Sequence, residues 1–397
     1  HYHAKRGGIT RVIEQQMEAL RDDAECLFLA GNGADPETRA KPELIAGIGY
    51  DGMRSDQSPF AVAEEVLAAI TAKWPSGCDI LHVHNPVLNK NRDFLAVLRI
   101  LAGKGVRLFL QVHDAAEDLR PHSYYRDEEY PENCHYGVIN TRDYRLFLDA
   151  GLRPEGLHRV FNVVQPLPRS ERTEAKSSRK LLLYAVRAIR RKNLGEAMLL
   201  SCFIPRGFRV GLTLPPTSPA DYPSYEEWKS FAVQERLSVD FELGLGRPLD
   251  ELVSRSALMI TTSVREGFGF SFLEPWTADR AVVGRRLDAV APDFEAAGVD
   301  LSTLYSRIRC PLDLFDAGRL RTVWIRTVET LCAEFGRETP FDPRSAWESL
   351  AAGGCVDFAY LDAEAARGIT AECRRSEAVR ARLRSEEHTS ELQSPNT

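Results

Sequence analysis

Residues 259–274 read MITTSVREGFGFSFLE. An apolar run ends at a loop with glycines at 267 and 269, and a segment of helical spacing follows. The order is strand, glycine loop, helix. Glycines let backbone N–H groups come close to an anion, and a helix N-terminus adds partial positive charge. Such a place suits a phosphate or diphosphate. Two carboxylates flank it: Glu266 at the mouth of the loop, and Glu274 eight positions later, about one turn into the helix. The same letters also fit a capping box with Ser271 as N-cap and Glu274 as N3. Taken alone, the stretch reads as an anion site or as an ordinary helix start.

The surrounding sequence decides the fold class. Short apolar, β-rich runs alternate with segments whose apolar residues recur at three and four. In the second half the runs are KLLLYAVR (180–187), FRVGLTL (208–214), VDFELGLG (239–246), ALMITTS (257–263) and AVVGRRL (281–287). The first half repeats the design with ECLFLAG (25–31), DILHVH (79–84), VRLFLQVH (106–113), YGVIN (136–140) and HRVFNVV (158–164). Helical patterns lie between them, among them 10–23, 58–74 and 92–105. Near-continuous apolar strands separated by helices predict parallel sheets covered on both faces. The alternation fails at 166–180, a proline-, serine- and charge-rich stretch that reads as a linker. The expected fold class is therefore α/β, with two Rossmann-like doubly wound domains facing across a cleft. They span 1–165 and 181–345, with C-terminal helices over 346–383. Ligands of open α/β sheets bind at the carboxyl ends of the strands.

Composition narrows the function classes. A chain of 397 residues accommodates two cores, and 44% hydrophobic with 27% charged residues is ordinary for a globular enzyme. A net charge of -6 gives no sign of a nucleic-acid partner. No apolar run approaches the ~20 residues of a membrane span, so at most peripheral membrane contact is expected. The eight cysteines are scattered without a CxxC pair, which fits reduced thiols in a cytosol and no zinc site. The start, HYHAKRGGITRV, enters a Gly-Gly turn directly, and a strand is expected to be missing before it. The segment RSEEHTSELQS (384–394) matches a translated sequencing adapter, so 384–397 is expected to be foreign to the native chain.

A second charged stretch, YAVRAIRRKNLGE (184–196), follows the first strand of the second half. Arg187 falls at that strand's end and Lys192 in the loop before the next helix, where strand ends face a ligand. Two cations there suit a diphosphate. With Arg190 and Arg191 alongside, the stretch also reads as a solvated basic turn. In the first half, His82 and His84 alternate along one strand and share a face; His84, at the strand end, is the acceptor-side candidate.

Together these stretches resemble the retaining GT-B glycosyltransferases, specifically glycosyltransferase family 4. Their S-x-x-E-G-F-G-x-x-x-x-E pattern is matched by Ser263, Glu266, Gly267, Phe268, Gly269 and Glu274, and their Arg-x4-Lys pair by Arg187 and Lys192. The resemblance covers most of residues 1–290. It implies that Arg187 and Lys192 neutralise the diphosphate of a nucleotide-sugar donor. Glu274 would hold the ribose, and Glu266 the transferred sugar with the Gly267–Phe270 amides close by. It also matches Gly7 and Gly8 to a glycine loop near phosphate and acceptor, and His113 to a strand-end histidine touching the donor sugar; a satisfied core histidine is the alternative for His113. The chain departs from the family at Val186, Val163, Asp279 and Ala281, where Gly, Gly, Gly and Pro are usual.

The expected reaction is transfer of a sugar from a nucleotide-diphosphate donor to an unknown hydroxyl acceptor: a saccharide, a lipid-linked sugar or a small molecule. No cofactor is expected, and no Asp-x-Asp triplet is present to hold a metal. The alternative is a non-catalytic sugar-nucleotide binder descended from such an enzyme. Glycoside hydrolysis needs two carboxylates but no cationic clamp, and an epimerase or phosphorylase fits the motifs less well.

Overall fold

The computed structural model describes residues 1–391 apart from Arg6, Ala34, Pro36, Glu37 and residues 168–179, and describes no side chains over 385–391. Most of the expected linker, and residues 392–397 of the expected adapter tail, lie outside the described residues. The chain divides into two compact units, one built from 1–163 with 334–336 and the other from 164–333 with 337–397.

In the first unit the order is α1 (Gly8–Ala19), β1 (Leu29–Ala30), β2 (Glu43–Leu44), α2 (Pro59–Lys73), β3 (Leu81–His84), α3 (Phe94–Gly103), β4 (Leu108–Val112), β5 (His135–Val138), α4 (Thr141–Asp149) and β6 (Leu157–Arg159). β3, β4, β5 and β6 form a parallel sheet in that spatial order, and β1 pairs with β2 separately. The residues before α1 run beside β1, with Gly31 N donating to His1 O at 3.2 Å. Local chemistry sets the helix limits. Ser58 accepts from Ala61 N at 3.3 Å, Pro59 occupies the first helical position of α2, and Asn140 accepts from Asp143 N at 2.7 Å at the start of α4. Val62, Ala63, Val66, Ala69 and Ile70 form the buried stripe of α2 against a core that includes Leu95, Leu98 and Leu110.

The second unit runs β7 (Leu181–Arg187), α5 (Leu194–Leu200), β8 (Arg209–Leu214), α6 (Tyr222–Gln234), β9 (Val239–Asp240), α7 (Leu249–Arg255), β10 (Ser256–Thr261), α8 (Phe270–Thr277), β11 (Val282–Arg285), α9 (Ala291–Ala296) and β12 (Leu304–Tyr305). Then follow β13 (Arg309–Pro311), α10 (Ala317–Glu334), α11 (Pro343–Leu350), β14 (Cys355–Asp357), α12 (Ala363–Arg375) and α13 (Glu377–Glu391). The six-stranded sheet has the order β12-β11-β10-β7-β8-β9, with every pairing parallel. From β7 the chain steps outward through β8 to β9, then crosses back to lay β10 on the other side of β7. The crevice between β7 and β10 is thus the point where strand order reverses, and in doubly wound sheets ligands bind there.

The expected strands of both halves appear, shortened at their ends. The short pieces β12, β13 and β14 carry too few residues to show a period. The C-terminal helices pack on the second unit: Ala366, Ile369 and Cys373 of α12 join the core of Met198 and Trp228. The eight cysteines are free thiols. Among the described residues no helix is long and apolar enough to cross a membrane.

Candidate functional site

The reversal point is built by two turns tied to each other. After β7 the chain passes Arg187 and closes a 3-10 turn over Arg190–Lys192, with Lys192 N donating to Ile189 O at 2.9 Å. Asn193 then takes a left-handed conformation, φ 47° and ψ 61°, and opens α5. After β10 the chain runs through Thr262 and Ser263, both fully buried. Tyr184 Oη donates to Lys192 O at 2.8 Å. Thr262 Oγ1 reaches Lys192 O at 3.0 Å and Asn193 O at 3.1 Å, and Val264 N donates to Arg191 O at 3.0 Å. Tyr184 Oη and Ser263 Oγ lie 3.1 Å apart. The basic turn and the glycine loop thus form one hydrogen-bonded body.

On that body Lys192 Nζ and Glu266 Oε1 form a direct ion pair, with 13% of the lysine and 9% of the glutamate side chain exposed. Burial pulls the Lys192 ammonium below its ordinary range, and Glu266, followed by Glu274, pulls it back up. An ammonium has three N–H donors, and one is directed at Glu266. Arg187, at the end of β7, is exposed. Lys192 is therefore mostly buried beside its carboxylate, while Arg187 meets solvent.

Gly269 is the N-cap of α8 at φ 99°, and Phe270 is its first helical residue. The capping-box reading is corrected: Ser271 lies inside the helix, no side chain caps it, and Glu274 sits beyond N3. The cause is hydrophobic. Phe268 is buried, with ring centroids 5.0 Å from Phe270 and 5.5 Å from Phe294, so the aromatic anchors set where the helix begins. A Cβ on Gly269 would come within 2.8 Å of Phe272 Cδ2, in a region of φ that side chains avoid. Glu274 is half-buried on α8. Asp279, where the resemblance has glycine, takes φ 56° and so keeps the left-handed turn that aspartate tolerates.

In the first unit Gly7 caps α1 in extended backbone, and nothing lies within 4 Å of a Cβ on Gly8, so the local fold alone requires glycine at neither position. His84 and His113 come together at the ends of β3 and β4, with Nδ1 and Nε2 2.9 Å apart and each 5% exposed. His82 Nε2 sits 2.9 Å from Gln111 Oε1, and Asn85 Oδ1 accepts from His113 N at 2.8 Å. Burial lowers His82 to about 4 and His113 to about 3, and His84 falls well below its ordinary value. All three are neutral at pH 7. His84, the acceptor-side candidate, is turned into this pair rather than out to solvent.

Tyr184 and Thr262, which hold the turn bearing Lys192, escape a reading of the sequence because each sits in an apolar run. So does Glu196, in the first turn of α5. It is fully buried and meets Arg285 at the end of β11, Nη2 to Oε2 at 2.6 Å. A lone charge inside LGEAMLL and another inside AVVGRR is the signal that would have found this pair, since buried charges require partners.

Comparison with solved structures agrees with this architecture. Anabaena HepE in complex with UDP-glucose superposes with a TM-score of 0.55, covering 96% of this chain and 97% of HepE at 14% identity. WaaG, a glycosyltransferase of lipopolysaccharide biosynthesis, gives 0.50 over 94% of this chain and 93% of its own, also at 14% identity. The fold is GT-B. Among curated proteins, mannosylglucosyl-3-phosphoglycerate synthase of Petrotoga mobilis is 24% identical over 335 residues, 74% of this chain. The match takes in 65% of the length of that relative. No protein-family model matches. Identity at this level shows the GT-B fold; the chemistry rests on the chain's own residues.

Proposed function

We propose that this chain is a nucleotide-sugar-dependent glycosyltransferase of the retaining, family 4 type, moving a hexosyl group to a hydroxyl acceptor without a metal. The observation that carries the reading is the Lys192–Glu266 pair on the loop–turn body at the strand-order reversal. The solved GT-B neighbour HepE binds UDP-glucose, and the curated relative is a sugar-transferring synthase.

In this reading the donor's diphosphate lies over Arg187 and the two remaining N–H donors of Lys192. Glu266 accepts from hydroxyls of the sugar and Glu274 from the ribose. The acceptor oxygen attacks the anomeric carbon, the bond from that carbon to the β-phosphate oxygen breaks, and the acceptor's proton passes to the departing diphosphate. Negative charge grows on the phosphate as the bond breaks, so fixed cations stabilise the transition state more than the ground state. Glu266 keeps the ammonium oriented before the donor arrives, which lowers the cost of ordering it.

The test is release of nucleoside diphosphate from UDP-, GDP- and ADP-sugars with saccharide, lipid-linked and phosphoglycerate-type acceptors, in the presence of EDTA. Expected are turnover with one donor class and an anomeric configuration preserved by NMR. Binding without turnover across the panel assigns the non-catalytic reading instead. Absence of any nucleoside-diphosphate binding by calorimetry overturns both.

A further inference from the structure

Beneath the Lys192 turn lies a charge network that the reaction as drawn does not use. Glu196 is completely buried. Its carboxylate accepts from Asn193 Nδ2 at 2.8 Å, from Tyr305 Oη at 2.7 Å, and from Arg285 through Nε at 2.9 and 3.1 Å and Nη2 at 2.6 Å. The other edge of the same guanidinium grips Asp357 on β14 at 2.6 and 2.8 Å. Asp357 Oδ1 also accepts from Ile308 N at 3.1 Å. Three segments distant in sequence, 193–196, 285 and 357, therefore meet on one arginine.

The geometry points to Arg285 as a positioning residue that sets the depth of the Lys192 ammonium by holding Glu196 charged under the Arg190–Asn193 turn. The link is short. Asn193 follows Lys192 directly and is held in a left-handed conformation that side chains disfavour and that asparagine adopts when its side chain bonds locally. Its side-chain bond to Glu196 is of this kind. Glu196 keeps its acceptors in place only while its charge has a partner, because a buried unpaired carboxylate protonates or swings toward water. Removing Arg285 frees Asn193, and the turn loses the constraint that aims Lys192 at Glu266 and at an incoming phosphate. Tyr184 and Thr262 still hold the main chain from the other side, so the turn relaxes rather than unfolds.

This inference rests on the proposed diphosphate role of Lys192, and the experiment separates the two. The full chain and its Arg285→Met variant are titrated by calorimetry with a nucleoside diphosphate and with the matching nucleoside. Expected is a diphosphate affinity about 10-fold weaker, with nucleoside affinity unchanged within twofold. In a Lys192→Ala background the same substitution is expected to have no further effect on diphosphate binding. Hydrogen exchange, which needs no ligand, is expected to quicken at 190–196 while β8 stays protected. Equal weakening of nucleoside and diphosphate, additive losses in the double variant, or unchanged exchange at 190–196 overturns the inference. Wild-type protein that binds no nucleoside diphosphate overturns the functional reading as well. Should Arg285→Met fail to fold, Asn193→Gly keeps the left-handed turn and deletes only the bond to Glu196. A three- to fivefold loss confined to the diphosphate supports the inference, and its absence overturns it.

Discussion

Replacing Glu266 with glutamine keeps the shape of the site and removes one charge. The Lys192 ammonium then sits beside a neutral amide with 13% of its side chain exposed. Breaking a fully buried pair costs about 3–5 kcal/mol, because the surviving charge is uncompensated; an exposed pair is worth about 0–1 kcal/mol. The exposures of 13% and 9% place this pair nearer the buried limit, and the long lysine stem allows some escape toward water, so a loss of roughly 2–3 kcal/mol follows. For a unit of this size that is about 5–10 °C in melting temperature. The double variant Lys192→Met/Glu266→Leu removes both charges and is expected to lie within about 1 kcal/mol of wild type, since apolar replacement of a buried pair is often neutral. It is also expected to bind nucleoside diphosphates ~100-fold more weakly, the two charge-assisted contacts of Lys192 having gone. Urea unfolding followed by circular dichroism measures the first quantity and calorimetry the second. If Glu266→Gln costs less than ~0.5 kcal/mol, the pair behaves as a surface pair and the burial reasoning fails. If the double variant stays as unstable as the single, an uncompensated charge is not the cause. If it still binds diphosphate with native affinity, the site lies elsewhere.

Other consequences are as direct. Arg187→Ala removes an exposed cation and is expected to change stability by less than ~0.5 kcal/mol while weakening diphosphate binding about 10-fold; a variant with native affinity in calorimetry removes Arg187 from the site. His84 and His113 are neutral in the fold, whereas an unfolded chain takes up protons below about pH 6.5, so their contribution is complete above that value and is lost as pH falls. Between pH 7 and 5.5 the pair should cost the first unit roughly 2–3 kcal/mol; unfolding titrations should show His113→Gln flattening this slope, and an unchanged slope refutes the assignment. Gly284 sits at φ 139° with a Cβ position 1.9 Å from Thr261 O. Gly284→Ala therefore pushes β11 off the strand that leads into the glycine loop, at a cost of about 3 kcal/mol or more; a melting temperature within 2 °C of wild type contradicts this.

Part of this molecule was legible in its residues. Buried parallel strands are apolar on both faces, so runs such as KLLLYAVR and ALMITTS stand out, and the helices between them show their stripe. From that alternation the doubly wound class follows. The motif around Glu266 and the basic stretch around Lys192 were equally visible, because charged residue types beside glycine at strand ends are local features. Less was legible where neighbours distant in sequence decide. The capping letters at Ser271 suggest a later start for α8 than Phe270, because they compete with the burial of Phe268 against Phe294, and the core wins. The strands β12–β14 have two or three residues each, too few for a pattern.

The sequence by itself determined the longer strands and helices, and which ionisable groups stand at the strand ends, since both follow from period and residue type along a few neighbours. Only the tertiary structure decided who pairs with whom. Lys192 meets Glu266 across 74 residues because β10 returns to the flank of β7. Arg285 meets Glu196 and Asp357 because buried charge must find its complement wherever packing brings one.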